Sequence, residues 1–101
     1  MAQFIKAAQR GDIPEGSGKV IEIGGRTLAF FRANGEFYAI DNACLHQGGP
    51  LGEGEVYGTR VVCPWHGWEY DFSNGANADD PAMKLACFLV KLEGDDILVE
   101  I

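Results

Sequence analysis

The sequence predicts an all-β domain, an antiparallel sandwich or barrel built from short strands. Three observations support this class: short β-like segments, turn dipeptides at close spacing between them, and no segment with clear helical periodicity. The chain has 101 residues, of which 47% are hydrophobic and 23% charged, as is ordinary for a globular protein of this size. We therefore predict a single domain over residues 1–101.

The strands are predicted from alternation and from the turns that bound them. In chain order they cover residues 19–23, 27–32, 36–40, 60–62, 69–72, 88–93 and 97–101. Gly24-Gly25 and Asn34-Gly35 are predicted as hairpin turns, because these residues tolerate the positive φ that such turns need. Residues 2–10 are a weak helix candidate. Residues 42–58 are rich in glycine and lack periodicity, so we predict a functional loop there.

Charge and cysteine content narrow the possible partners. The net charge is −7, which disfavours nucleic acid and favours a basic patch on another protein, or serves solubility alone. No apolar stretch approaches the roughly 20 residues that cross a bilayer, and the N-terminus does not resemble a secretory signal. We therefore expect a cytoplasmic protein with no membrane partner. In that compartment cysteines are more often metal ligands than disulfides.

Two short motifs contain both histidines of the chain. They are Cys44-x-His46 and Cys63-x-x-His66, separated by sixteen residues. Cysteine and histidine bind zinc and iron–sulfur centres, and a short spacing places two ligands on one loop. Zinc fingers usually group two cysteines in one loop and two histidines in another, whereas each loop here has one of each. The spacing favours a binuclear iron–sulfur centre but leaves open a tetrahedral zinc site and a Cys44–Cys63 disulfide.

The same residues carry a family resemblance. Cys44-Leu45-His46-Gln47-Gly48-Gly49 and Cys63-Pro64-Trp65-His66-Gly67-Trp68 resemble the two cluster-binding motifs of Rieske proteins, C-x-H-x-G and C-P-x-H-G. The similarity extends from about Val20 to the C-terminus. It implies a Rieske-like fold with a loop-rich cluster-binding subdomain, whose binding loops lie at about 42–52 and 62–70.

The resemblance also implies the cofactor and its ligands. One Rieske-type [2Fe–2S] cluster per chain would be bound by two thiolates on the inner iron and two imidazoles on the outer, more exposed iron. The thiolates would come from Cys44 and Cys63, and the imidazoles from His46 and His66. Gln47, Trp65 and Pro81 are expected around the exposed edge. Trp68 is expected to pack over the cluster and exclude water.

Among Rieske proteins, the chain resembles the small ferredoxins of bacterial ring-hydroxylating dioxygenase systems. That implies a one-electron carrier, not an enzyme, which passes electrons from a flavin-dependent ferredoxin reductase to a terminal oxygenase. The alternatives are the similar small subunit of assimilatory nitrite reductase and a zinc-stabilised interaction module. No catalytic residues are predicted: a mononuclear iron site needs two further histidines, and the chain has none to offer.

Two departures from the Rieske proteins of respiratory and photosynthetic complexes predict a low reduction potential. Rieske proteins of respiratory and photosynthetic complexes have a disulfide at the positions of Gly49 and Trp65, and a serine donor at the position of Trp68. A hydroxyl donor withdraws electron density and raises the potential, so its loss predicts a low value. Tyr70 is either a packed aromatic or a hydroxyl donor to the cluster. The third cysteine, Cys87, lies in an apolar run and is predicted to be buried.

Overall fold

The computed structural model describes residues 3–43, 49–65 and 67–101. These residues are nearly all in β-strands and the turns between them, which confirms the predicted class. Its strands, in chain order, are β1 (Phe4–Gln9), β2 (Ser17–Ile23), β3 (Arg26–Ala33), β4 (Glu36–Asp41), β5 (Glu55–Tyr57), β6 (Arg60–Val62), β7 (Glu69–Asp71), β8 (Ala76–Asn77), β9 (Cys87–Phe88), β10 (Val90–Glu93) and β11 (Asp96–Glu100). Single 3-10 turns occur at Arg10–Asp12 and Leu51–Glu53. Within the described ranges, no helix is long and apolar enough to cross a membrane.

In the part of the chain that the structure describes, the strands form three antiparallel sheets. The first has the order β1-β11-β10, the second β2-β3-β4-β9 and the third β5-β6-β7-β8. The first two sheets share a buried core, whose members are Ala8, Ile13, Leu28, Phe30, Ala39, Ile97 and Val99. The third sheet packs against a second core, described below, that includes a residue of the second cysteine–histidine motif.

The two predicted hairpin turns are confirmed. Gly24 and Gly25 have φ of +59° and +78° and join β2 to β3. Asn34 and Gly35 have φ of +56° and +78° and join β3 to β4. Two successive residues at positive φ match the right-handed twist of the flanking strands, which is why these dipeptides set the register of the central sheet.

The N-terminal segment is a strand, so the helix considered for residues 2–10 is wrong. β1 pairs antiparallel with β11, from Phe4 opposite Glu100 to Gln9 opposite Asp96. The register shifts between Lys6 and Ala8, which breaks the two-residue alternation within the segment. The pairing that stabilises β1 therefore comes from the far end of the chain.

Two further predictions need correction. The glycine-rich segment 42–58 is not all loop, because its last part forms β5, which pairs with β6 through the Gly58-Thr59 turn. The strand predicted over 88–93 is interrupted at Leu89, so that β9 belongs to the second sheet and β10 to the first. Leu89 lies between the two sheets and belongs to neither of them, and its side chain is exposed.

Candidate metal centre

Of the four predicted ligands, Cys63 lies among the described residues, whereas Cys44, His46 and His66 lie outside them, as does Gln47 of the predicted rim. The residues on both sides of each motif are described. They show where the chain enters and leaves each motif.

The two ends of the first motif are held together by hydrogen bonds. Ala43 and Pro50 form an antiparallel bridge. The Leu51 amide donates to the Asn42 carbonyl over 2.9 Å, and the Gly52 amide donates to the side-chain oxygen of Asn42 over 2.8 Å. Asn42 is buried, so these bonds are shielded from competing water. The chain therefore enters and leaves the first motif at adjacent, fixed points.

The second motif connects two paired strands. β6 ends at Val62 and β7 begins at Glu69, and these two residues are cross-strand partners. The Cys63 amide donates to the Trp68 carbonyl over 2.7 Å, which extends the hairpin one step into the motif. Gly67 has a φ of +74°, a conformation that glycine adopts without a steric penalty. Cys63 thus lies at the rigid base of a tight loop.

The two motifs meet at Gly49 and Cys63. A Cβ atom built on Gly49 would lie 2.7 Å from the Sγ of Cys63, which is closer than real Cβ atoms approach other heavy atoms. The same Cβ position is 3.1 Å from Cγ and Cδ2 of Trp65. Glycine is therefore required for the end of the first motif to pack directly on the predicted ligand of the second.

The surroundings of Cys63 are apolar. Only 2% of the residue is exposed. It belongs to the second buried core, whose members are Ala29, Phe31, Ala33, Ile40, Leu51, Val61, Cys63, Tyr70, Phe72 and Leu85. Trp68 is half-buried and packs against this core. Tyr70 is fully buried. A ligand in this position is shielded from water on its inner side.

The surface beside Cys63 is acidic. A groove next to the motif is lined by Glu53, Gly54, Glu55, Val62, Cys63, Pro64 and Gly67. Glu55 and Glu69 are the cross-strand partners of Val62 on its two sides, so two carboxylates flank the residue that precedes Cys63. Trp65 is 48% exposed. Pro81, which was expected on the rim, is also exposed.

Cys87 is exposed, so the prediction that it is buried is wrong. It lies on β9, a two-residue edge strand, where few side chains cover it. Its sulfur is nevertheless close to Gly75, 2.9 Å from a Cβ built there, and it donates a weak hydrogen bond to the Leu85 carbonyl over 3.8 Å. This partial burial raises the pKa of the Cys87 thiol, with Lys84 opposing the effect. A neutral thiol is a poor metal ligand.

Sequence reasoning missed the packing of Trp65 on Gly49. The signal that could have found it is the equivalence of these two positions to the disulfide of the respiratory and photosynthetic Rieske proteins, which the two motifs resemble. A disulfide holds its two Cα atoms within about 7 Å, so this equivalence could have predicted that the residues at the same positions here are neighbours.

Cys63 fits a role as a thiolate ligand of an iron–sulfur cluster. The residue lies at the base of a loop that is fixed by hydrogen bonds. The backbone of Gly49 packs against its sulfur and leaves no room for a side chain there. Two cysteines and two histidines are also the donor set that Rieske centres use. Both the types of the predicted donor residues and the surroundings of Cys63 therefore match what a Rieske-type cluster needs.

Residues 3–89 match the model of the Rieske [2Fe-2S] domain, so the chain belongs to the Rieske family. Its cofactor is a Rieske-type [2Fe–2S] cluster. The family membership and the all-β fold agree with what the two motifs predicted from sequence.

Relatives of two kinds are similar to the chain. It is 36% identical over 89 residues to apoptosis-inducing factor 3 of Homo sapiens, covering 87% of the chain but 15% of that relative's length. It is 31% identical over 98 residues to the ferredoxin component of the naphthalene 1,2-dioxygenase/salicylate 5-hydroxylase systems of Ralstonia sp.. That second match covers 96% of the chain and 94% of the relative.

Solved structures share the fold. A chain from the complex of reduced oxygenase and oxidized ferredoxin in carbazole 1,9a-dioxygenase superposes with a TM-score of 0.85 at 28% identity, covering 95% of this chain and 91% of that one. A protein described as an NADH-dependent nitrite reductase small subunit from Mycobacterium tuberculosis gives a TM-score of 0.90 at 19% identity. The match covers 100% of this chain and 96% of that one. At this low identity, it shows a shared fold alone.

Proposed function

We propose that the chain is a single Rieske domain that acts as a one-electron carrier. Cys44 and Cys63 would bind one iron of the cluster, and His46 and His66 the other. The observation that carries the proposal is the contact between Gly49 and Cys63, which brings the end of the first motif onto the base of the second. Two motifs that meet in this way can supply ligands to one centre between loops at about 42–52 and 62–70.

When bound, the cluster supplies a site that takes up and releases one electron. The chain's own residues would hold the cluster in place and keep water away from it. The hydrogen bond from the Cys63 amide to the Trp68 carbonyl holds the thiolate on its loop. The apolar residues behind Cys63 keep water from the inner side. A rigid, partly dry site changes little between oxidation states, which suits rapid electron transfer.

The proposed partners are a flavin-dependent ferredoxin reductase, as donor, and a terminal oxygenase, as acceptor. Two observations support them. The chain matches a dioxygenase ferredoxin component over nearly the whole length of both sequences. Its net charge of −7 and the carboxylates beside Cys63 would attract a basic surface on either partner. Both histidines are assigned to the cluster, so the oxygenase chemistry belongs to the partner.

The proposal can be tested by reconstituting electron transfer. The cluster-loaded chain is mixed with NADH and a flavin-dependent reductase of an aromatic-ring dioxygenase system, and its visible absorbance is followed by stopped flow. We expect reduction that depends on the reductase, and reoxidation when the cognate oxygenase and its substrate are added. A cluster-free Cys63→Ala variant is the control.

The opposite result has a definite form. If the chain is not reduced by such reductases and instead co-purifies in a stable complex whose nitrite reductase activity requires it, the carrier proposal fails in favour of the subunit alternative. If the purified chain is colourless and contains zinc, both redox roles fail.

A further inference from the structure

Trp65 occupies an unusual place for an exposed aromatic residue. Nearly half of it is in contact with solvent, yet its ring packs on the backbone of Gly49. Cγ and Cδ2 of the indole and Sγ of Cys63 all lie within 3.1 Å of the position that a Gly49 Cβ would occupy. The indole and the thiol therefore lie against the same glycine, with no side chain at position 49 between them.

We propose that Trp65 is a positioning residue that covers the outer side of Cys63 and Gly49, excludes water there, and so lowers the reduction potential of the cluster. This inference rests on the proposed function. Trp68 and the buried apolar residues around Cys63 shield it from water on the inner side. Trp65 covers the side that faces solvent.

The direction of the effect follows from charge. One electron, supplied by dithionite during a titration, adds one negative charge to the site. Water around the thiolate stabilises that charge, whereas an apolar ring in its place does not. Excluding water therefore disfavours the reduced form, and removing the ring should raise the potential.

A purely structural role predicts something different. A half-exposed ring contributes little to the hydrophobic core, so its loss should alter stability slightly and leave the potential unchanged. The potential and the access of water to the cluster therefore separate the two roles, and both can be measured without a partner protein.

The test uses a graded series, Trp65→Phe, Trp65→Leu and Trp65→Ala, in the full cluster-loaded chain. The control is Phe4→Ala, since Phe4 is a 37% exposed aromatic on β1, in the first sheet, which contains neither motif. Midpoint potentials are measured by mediated redox titration. Water access is measured from deuteron couplings in the EPR spectrum of the reduced protein after exchange into D₂O.

We expect the midpoint potential and the deuteron coupling to rise together, least in Trp65→Phe and most in Trp65→Ala, with no change in Phe4→Ala. If Trp65→Ala does not fold, the order of wild type, Trp65→Phe and Trp65→Leu decides the question. Wild-type values across the series, or an equal shift in Phe4→Ala, would overturn the inference while the proposed function stands. Failure of the wild-type chain to show a Rieske EPR signal would instead overturn the proposed function.

Discussion

The backbone of Gly49 packs on the thiol of Cys63, so closely that a Cβ on Gly49 would stand 2.7 Å from Sγ. Gly49, the last residue of the first motif, and Cys63, the first residue of the second motif, are therefore in direct contact. A methyl group at position 49 would have to displace the sulfur or move the backbone that carries it. This contact makes the cluster site sensitive to a residue that ligates nothing.

Gly49→Ala should therefore impair the site. Overpacking of this kind costs about 1–3 kcal/mol, and here the strain falls on a predicted ligand. We expect fewer iron atoms per chain and a lower urea midpoint of unfolding. Gly11→Ala is the matched control, because a Cβ at Gly11 meets nothing within 4 Å. Full iron content in Gly49→Ala would mean that Cys63 and Gly49 are not held together as described.

The reduction potential of the wild-type chain should lie near the low end of the Rieske range, which runs from about −150 to +300 mV. Trp68 stands where Rieske proteins of respiratory and photosynthetic complexes have a serine donor, so we expect the cluster to lack one hydroxyl that would withdraw electron density. A redox titration followed by visible circular dichroism measures the midpoint. A value well above about 0 mV would show that another donor replaces the serine.

Asp71 should stabilise the third sheet in a pH-dependent way. Burial alone would raise the pKa of Asp71, but hydrogen bonds from Ser73 and Thr59 and the charge of Arg60 together hold it below its ordinary value. The Ser73 amide and hydroxyl donate to the carboxylate over 2.9 and 2.5 Å. Since the folded pKa is the lower one, the stabilisation is present above the unfolded value, about 3.9, and is lost as the pH falls through the folded value.

Asp71→Asn should accordingly lower the free energy of unfolding by about 1 kcal/mol near neutral pH, a modest figure because the carboxylate is partly solvated. The difference from wild type should shrink as the pH falls below about 4. Urea unfolding at a series of pH values measures it. Asp95→Asn, at an exposed turn residue, is the control and should change stability by less than about 0.5 kcal/mol. A difference that grows on acidification would contradict the assignment.

Glu15 should stabilise the central hairpin. Its carboxylate accepts hydrogen bonds from the Asn34 and Gly35 amides over 2.7 and 2.8 Å, and so joins the loop before β2 to the β3–β4 turn. Glu15→Ala leaves two amides without this partner and should cost about 1 kcal/mol in urea unfolding. Glu22→Ala, at an exposed glutamate on β2, is the control. Equal effects of the two substitutions would assign the loss to general charge instead of to the turn.

The hairpins could be predicted from sequence because their signals are local. Gly24-Gly25 and Asn34-Gly35 encode the required backbone conformation in two residues each, whatever the rest of the chain does. β6 was predicted with its observed bounds, 60–62, because turn residues lie on both sides of it. Such features are set by steric preferences within a few residues.

The missed strands depend on distant partners. β1 carries a bulge and pairs with β11, about ninety residues away, so no local pattern identifies it. β5 has three residues and gains its stability from β6, inside a segment whose glycines suggested a loop. The exposure of Cys87 follows from the change of sheet at Leu89, which an apolar run does not reveal.

The cofactor could be predicted from the sequence, because its chemistry is encoded in two motifs of six residues, whereas the assignment of the four ligands stays a prediction. The spacing alone left zinc and a disulfide open, and membership of the Rieske family assigns the cofactor. The contacts that support Cys63 could not be predicted in this way. They depend on how the loop bases at Asn42 and Val62 approach each other in three dimensions.

The most direct test of the central claim is low-temperature EPR of the dithionite-reduced chain, with Cys63→Ala and Cys87→Ala as a matched pair. We predict a rhombic [2Fe–2S] signal with hyperfine couplings from two imidazole nitrogens in the wild type. The signal should be unchanged in Cys87→Ala and absent in Cys63→Ala. A wild-type chain without this signal, or one whose signal survives in Cys63→Ala, would contradict the account.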